Sequence, residues 1–175
     1  MVPLFSAAQR QGQLTVQGLT GVRGEEGTLR VLSESYGADG APLCWMTGAF
    51  LDAELFEVTA ERVAFAVRLD GQDSALQVPI VRAGLSGLLD EAGATVTLTG
   101  VVPAEAAIEL ALAPYLGDAG LDLDGDGVAD LSTEEVLDLA RRLAASEDFA
   151  DVPMGEDGSR GISLAFGLVL EPARD

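Results

Sequence analysis

Arg62-Val63-Ala64-Phe65-Ala66-Val67-Arg68-Leu69-Asp70-Gly71 is the stretch on which the fold class turns. Val63, Phe65, Val67 and Leu69 alternate with Arg62, Ala64, Ala66 and Arg68. That period of two puts one face of a strand on a core and the other in solvent. Asp70-Gly71 is a tight-turn pair, and Leu76, Val78 and Ile80 resume the alternation beyond it, so the pattern predicts a β-hairpin.

The same reading extends in both directions. Gln13–Leu19 sets Leu14 and Val16 on one face, and Thr28–Ser33 does the same with Leu29 and Val31. Leu43–Thr59 is long and apolar, with Trp45, Phe50, Leu55 and Phe56, and is expected to bend near Gly48. Ala83–Leu89 pairs with Thr95–Val101 across Asp90-Glu91-Ala92-Gly93 as a second hairpin. Near the end, Ile162, Leu164, Phe166, Leu168 and Leu170 alternate without a break. Strands and turns at such regular spacing predict a mainly β (α+β) fold, an antiparallel β-sandwich or barrel.

Between Pro103 and Ser146 the period changes. Ile108, Leu112 and Tyr115 fall at i, i+4 and i+7, and Pro103 suits the first position of a helix over Ala104–Leu116. Pro114 ends or kinks it, and a strand through Ile108, Leu110 and Leu112 is the competing pattern. Further on, Val136, Leu139, Ala140 and Leu143 make an apolar helical stripe, with Asp138 and Arg142 paired on the wet side. Ser132 and Glu135 have capping-box spacing at its start. Ser146–Arg160, rich in Asp, Glu, Gly and Pro, reads as a loop. No internal repeat is visible, so residues 1–175 are expected to form one domain. Residues 1–102 and 161–175 supply the β core, and 103–146 form a helix–loop–helix excursion before the final strand.

Composition narrows the function classes. The 175 residues carry 29 acidic and 10 basic side chains, a net charge of −19. Clustered Lys and Arg, which nucleic-acid binding and docking on anionic lipid need, are missing. Every basic residue is Arg, and Lys, Asn and His are absent. Scarcity of residues with AT-rich codons points to a GC-rich, bacterial-type genome, with salt adaptation as the competing source of acidity. Without His, Ser-His and Cys-His nucleophiles and the usual zinc sets drop out. Cys44 is alone and flanked by Leu43, Trp45 and Met46, so it reads as a small buried hydrophobe and no intrachain disulfide forms. Met1–Arg10 is too short and polar for a secretory signal, and no window resembles a transmembrane helix. Export is therefore expected only with a signal already removed.

Asp122-Leu123-Asp124-Gly125-Asp126-Gly127-Val128-Ala129-Asp130 demands a chemical explanation. Residues 117–140 hold Asp118, Asp122, Asp124, Asp126, Asp130, Glu134, Glu135 and Asp138 and no basic residue. Nothing local neutralises them, whereas a hard cation with six to eight oxygen ligands would. The competing reading is a solvated Asp/Gly turn without an ion. The spacing resembles the calcium loop of EF-hand and dockerin-type proteins, over about residues 122–135 only. The resemblance implies that Asp122, Asp124 and Asp126 supply side-chain oxygens, Val128 its carbonyl, and Asp130 an oxygen directly or through water. Gly127 supplies the positive φ of the sharp turn. The chain departs from that pattern where a bidentate Glu is expected: Thr133 stands there, leaving Glu134 as the late ligand and Glu135 as a capping residue. Such a site should be weak, with a dissociation constant of roughly 0.1–1 mM, the range of extracellular modules.

These features lead to an expected function: a non-catalytic, Ca²⁺-stabilised structural or interaction module, extracellular, periplasmic or attached to the cell surface. The alternative is a carboxylate-based hydrolase with a structural calcium ion, which requires two acids facing one cleft. A calcium buffer or sensor is disfavoured, because sensors pair their loops and expose a Met-rich groove. Glu54 and Glu57 fit an exposed strand face, and Gly18, Gly21, Gly24 and Gly27 show no phosphate-binding pattern. Trp45, with Phe50 or Tyr36, is read as core, with a sugar- or peptide-binding platform as the competing reading.

Overall fold

A computed structural model describes residues 1–24, 28–68, 75–90, 92–112, 115–117, 120–156 and 158–172. In chain order the main strands are β1 (Val2–Arg10), β2 (Gln13–Arg23), β3 (Leu29–Val31), β4 (Cys44–Phe50), β5 (Leu55–Val67), β6 (Leu76–Asp90) and β7 (Gly93–Pro103). Helix α1 (Ala104–Leu112) leads to the short strands β8 (Leu116–Gly117), β9 (Gly120–Leu121) and β10 (Leu131–Ser132). Helix α2 (Thr133–Ala144), β11 (Val152–Pro153) and β12 (Arg160–Leu170) complete the chain. The fold is mainly β. One antiparallel sheet runs β1-β2-β4-β5-β6-β7-β12-β11, with β3 beside β2, and β8, β9 and β10 form a separate three-stranded sheet.

The large sheet is rolled. Phe5 of β1 and Leu164, Leu168 and Leu170 of β12, from opposite ends of the strand order, pack on one core of Leu14, Val16, Met46, Val58, Leu85 and Val96. Side chains of β1 and β12 also border a single apolar cavity of about 390 Å³ at the end where β1–β2, β4–β5 and β6–β7 turn. Alternation explains the core: Cys44 and Met46 are 0% exposed, whereas Trp45 between them is 47% exposed. The expectation that Trp45 belongs to the core is therefore corrected, because the pleat allows only one of two neighbours inside. Burial pushes the Cys44 thiol up to about 12, so it packs as a small apolar group.

The roll needs bends. Opposite Gly100, β6 carries an extra residue: its register to β7 shifts between Val81 and Gly84. Arg82 there takes a φ of 52°. Across this point the buried position in β6 moves from Ala83 and Leu85 to Ile80, and in β5 from Val58 to Val63. Such a bulge bends strands and re-aims side chains. It also explains why single unbroken strands, β5 and β6, run through what the pattern divided into shorter ones.

Several expectations shift. Residues 2–10, which carry no clear apolar alternation, form β1 and pair with β2 along their whole length. Gln11 and Gly12 join them with positive φ of 52° and 81°, the two-residue turn that matches strand twist. The bend expected near Gly48 lies instead at 51–54, where Asp52 Oδ1 accepts from the N–H groups of Glu54 and Leu55 at 2.9 and 2.7 Å. Asp70-Gly71 falls outside the described residues, though the strands it was to join do pair, Val67 opposite Leu76. Pro103 ends β7 instead of starting α1, opposite Gly161, a position where its missing N–H is tolerated. Helix α1 spans Ala104–Leu112 and Leu116 lies in β8, so the helix does not reach Leu116; Pro114 falls outside the described residues. In α2 the buried stripe runs through Val136 and Ala144, while Leu139 and Leu143 stay 47% and 41% exposed. Small Ala residues let α2 approach Ala104 and Ile108 of α1 closely, which Leu would prevent. The loop after α2 contains β11, paired with Arg160 and Gly161.

Candidate metal centre

Strands β9 and β10 form a neck, with Leu121 opposite Leu131 and Gly120 opposite Ser132. Asp130 N–H donates to the Leu121 carbonyl at 2.9 Å, so the first and last aspartates of the loop stand side by side. Between them each carboxylate folds the backbone around itself. Asp122 accepts from Gly125 N–H at 2.7 Å through one oxygen and from Gly127 N–H at 2.8 Å through the other. Asp124 accepts from Asp126 N–H at 3.1 Å, and Asp126 from Val128 N–H at 2.8 Å. Asp130 accepts from Leu123 N–H at 2.8 Å. Gly127 has the expected positive φ, 85°, and Gly125 has one of 77° that the Asp-Gly pair signalled but the sequence reading did not use.

The result is convergence. Asp122, Asp124 and Asp130 each offer a carboxylate oxygen, and those oxygens all lie within 4.8 Å of one another. Asp122 is half-buried, and Asp124 and Asp130 are exposed. Asp126 and Glu134 are not brought into this group. Asp126 turns its carboxylate to the loop backbone, and Glu134 stands exposed in the first turn of α2. Val128 is exposed, with its N–H held by Asp126. Carboxylate oxygens at this spacing, held by backbone N–H groups, form an acidic cluster of the size that could hold a metal ion.

The approach to α2 follows the sequence. Ser132 is its N-cap, Glu135 N–H donates to Ser132 Oγ at 3.4 Å, and Ser132 N–H donates to Glu135 Oε2 at 2.9 Å. The carboxylate of Glu135 is committed to that box, and its pKa is lowered by the Ser132 hydroxyl and backbone. Ser132→Ala is expected to cost about 1 kcal/mol, the usual loss of a helix cap. Urea unfolding of the variant checks it, and an unchanged midpoint would show that the box does not hold α2.

Three aspartates, Asp52, Asp122 and Asp151, are held below their ordinary pKa by hydrogen bonds to their carboxylates. The N–H groups of Gly127 and Gly125 hold Asp122 below its ordinary 3.8. The Ser163 hydroxyl and N–H do the same for Asp151, tying the segment before β11 to β12. A depressed folded pKa gives stability that is complete above the unfolded value and is lost as pH falls through the folded one. Stability should therefore decline from about pH 4 downward. Asp151→Asn should flatten that decline in urea midpoints measured against pH; a slope unchanged in the variant would remove Asp151 from the account.

No family model, curated protein or solved structure matched this chain. Its functional reading therefore rests on the geometry above. Among the described residues no helix is long and apolar enough to cross a membrane.

Proposed function

We propose that Asp122–Asp130 is a single EF-hand-like calcium loop and that the ion is structural, in a non-catalytic module working where calcium is near millimolar. The observation that carries this is the meeting of three carboxylate oxygens within 4.8 Å on a loop braced by its own N–H groups. Asp122, Asp124 and Asp130 hold the ion; Asp126, the Val128 carbonyl and Glu134 complete its shell after small rearrangements or through water. With no bidentate Glu at its usual place, the affinity is weak and suits an extracellular, periplasmic or cell-surface setting.

The ion's role follows from its place. It ties the exit of β9 to the entry of β10 and so sets α2 against α1. At 1 mM calcium, the unfolding midpoint should rise by about 1–5 °C over that in chelator. Asp124→Ala should remove the rise while leaving the midpoint in chelator nearly unchanged. A midpoint indifferent to calcium would end the proposal.

The hydrolase alternative would need paired acids on a cleft. Asp90 and Glu171 do border the 390 Å³ cavity. Asp90 Oδ1, however, accepts from Ala92 and Gly93 N–H at 2.7 and 3.0 Å and closes the β6–β7 turn. That structural task favours the non-catalytic reading.

A further inference from the structure

We propose that the outer face of β1, β2 and β4 around Trp45 binds a neutral glycan chain. The register sets Ser6, Gln17 and Trp45 in one row across the three strands, Ala8 beside Thr15 in the next, and Arg10 beside Gln13 in the third. These positions alternate with buried Leu14, Val16, Cys44 and Met46, so they stand together on the outward face. They line a cleft of about 340 Å³. Trp45 is the chain's only tryptophan, and its exposure of 47% leaves an indole surface free beside the cleft.

Charge and chemistry narrow the occupant. Among the described residues no carboxylate lines this cleft, and its one charged side chain is Arg10. The rest of the lining is amide, hydroxyl and indole, with the methyl group of Ala8 between them. Amides and hydroxyls both donate and accept hydrogen bonds, as sugar hydroxyls do. A pyranose ring has a C–H face that lies flat on an indole and a rim of hydroxyls for Gln17 in the same row, while Thr15 and Gln13, in the next two rows, face the following sugars of a chain. A nucleic acid would also stack on Trp45, but a net charge of −19 repels its phosphates. A protein partner would seek a well-packed, desolvated anchor, and here the neighbours of Trp45 are polar. This names a ligand class for the interaction module, and it does not depend on the calcium loop, which contributes no residue to the cleft.

Because Trp45 is the only tryptophan, its emission reports on the site directly. The whole chain is titrated with cellohexaose, xylohexaose, mannohexaose and chitohexaose, in EDTA so that failure of the calcium proposal is a separate result. At least one should change the emission saturably. By calorimetry, Trp45→Ala should weaken that binding more than about tenfold. Gln17→Ala, which keeps the fluorophore, should weaken it about fivefold through a lost hydrogen bond. Emission unchanged by all four up to millimolar concentration, or a Trp45→Ala protein that binds like the wild type, would overturn the proposal.

Discussion

Gly48→Ala lowers the unfolding midpoint by about 6–12 °C, a loss of roughly 3 kcal/mol. Gly48 lies inside β4, directly opposite Val58 of β5. A Cβ placed on it would stand 2.0 Å from the Glu57 carbonyl oxygen and 2.8 Å from the Val58 Cα. Both are backbone atoms of the paired strand, so no rotamer can swing aside and the ladder itself must open. Gly167 of β12 is the control, another strand glycine, with nothing within 4 Å of its Cβ position. Gly167→Ala should leave the midpoint unchanged or raise it slightly, because Ala narrows the unfolded ensemble. Calorimetry on the pair decides: equal midpoints would mean that β4 and β5 do not approach as closely as the structure has them.

Met46→Ala is expected to cost about 3 kcal/mol, within the range of roughly 2–5 for truncating a buried large side chain. Met46 is 0% exposed and sits in the cluster with Val16, Cys44 and Val58. Val16 is its partner in β2, and Thr47 beside it pairs with Thr59 of β5, so the backbone is held and the site cannot readily collapse to refill the void. Trp45, one residue away, faces outward, and Trp45→Ala should cost less than about 1 kcal/mol despite removing more atoms. Urea unfolding of both variants tests which face of β4 is buried. A Trp45→Ala cost exceeding that of Met46→Ala would reverse the assignment and with it the outward face proposed for glycan.

Much of the fold could be read because its signals are local. Leu14, Val16, Val63 and Ile80, marked by alternation, are buried, although Ala66 on the expected wet face is buried too and Phe166 is exposed. The Ser132–Glu135 box needs only four consecutive residues, and it starts α2 where the spacing put it. What escaped depends on distant partners. Residues 2–10 lack a pattern of their own and become β1 because β2 offers a free edge and Gln11-Gly12 can turn. Half of the expected α2 stripe lies inward, Val136 buried and Ala140 packed on the cluster with α1, whereas Leu139 and Leu143 face outward and Ala144 takes the buried place.

The aspartate loop divides in the same way. Spacing and glycine placement, which act over a few bonds, already marked Asp122, Asp124, Asp126 and Asp130 as oxygen donors and Gly127 as the sharp turn. Which carboxylates converge was decided by the β9–β10 neck, which sets Asp130 beside Asp122 while Asp126 bends back to its own backbone. Charge, strand period and helix caps are written in neighbouring residues, so the chain alone determined a mainly β, acidic protein with an oxygen-rich loop. Tertiary structure decided the rolled sheet and the outward turn of Trp45, which depend on strands brought together from far along the chain, and the meeting of three aspartates, which depends on the β9–β10 pairing that closes their loop.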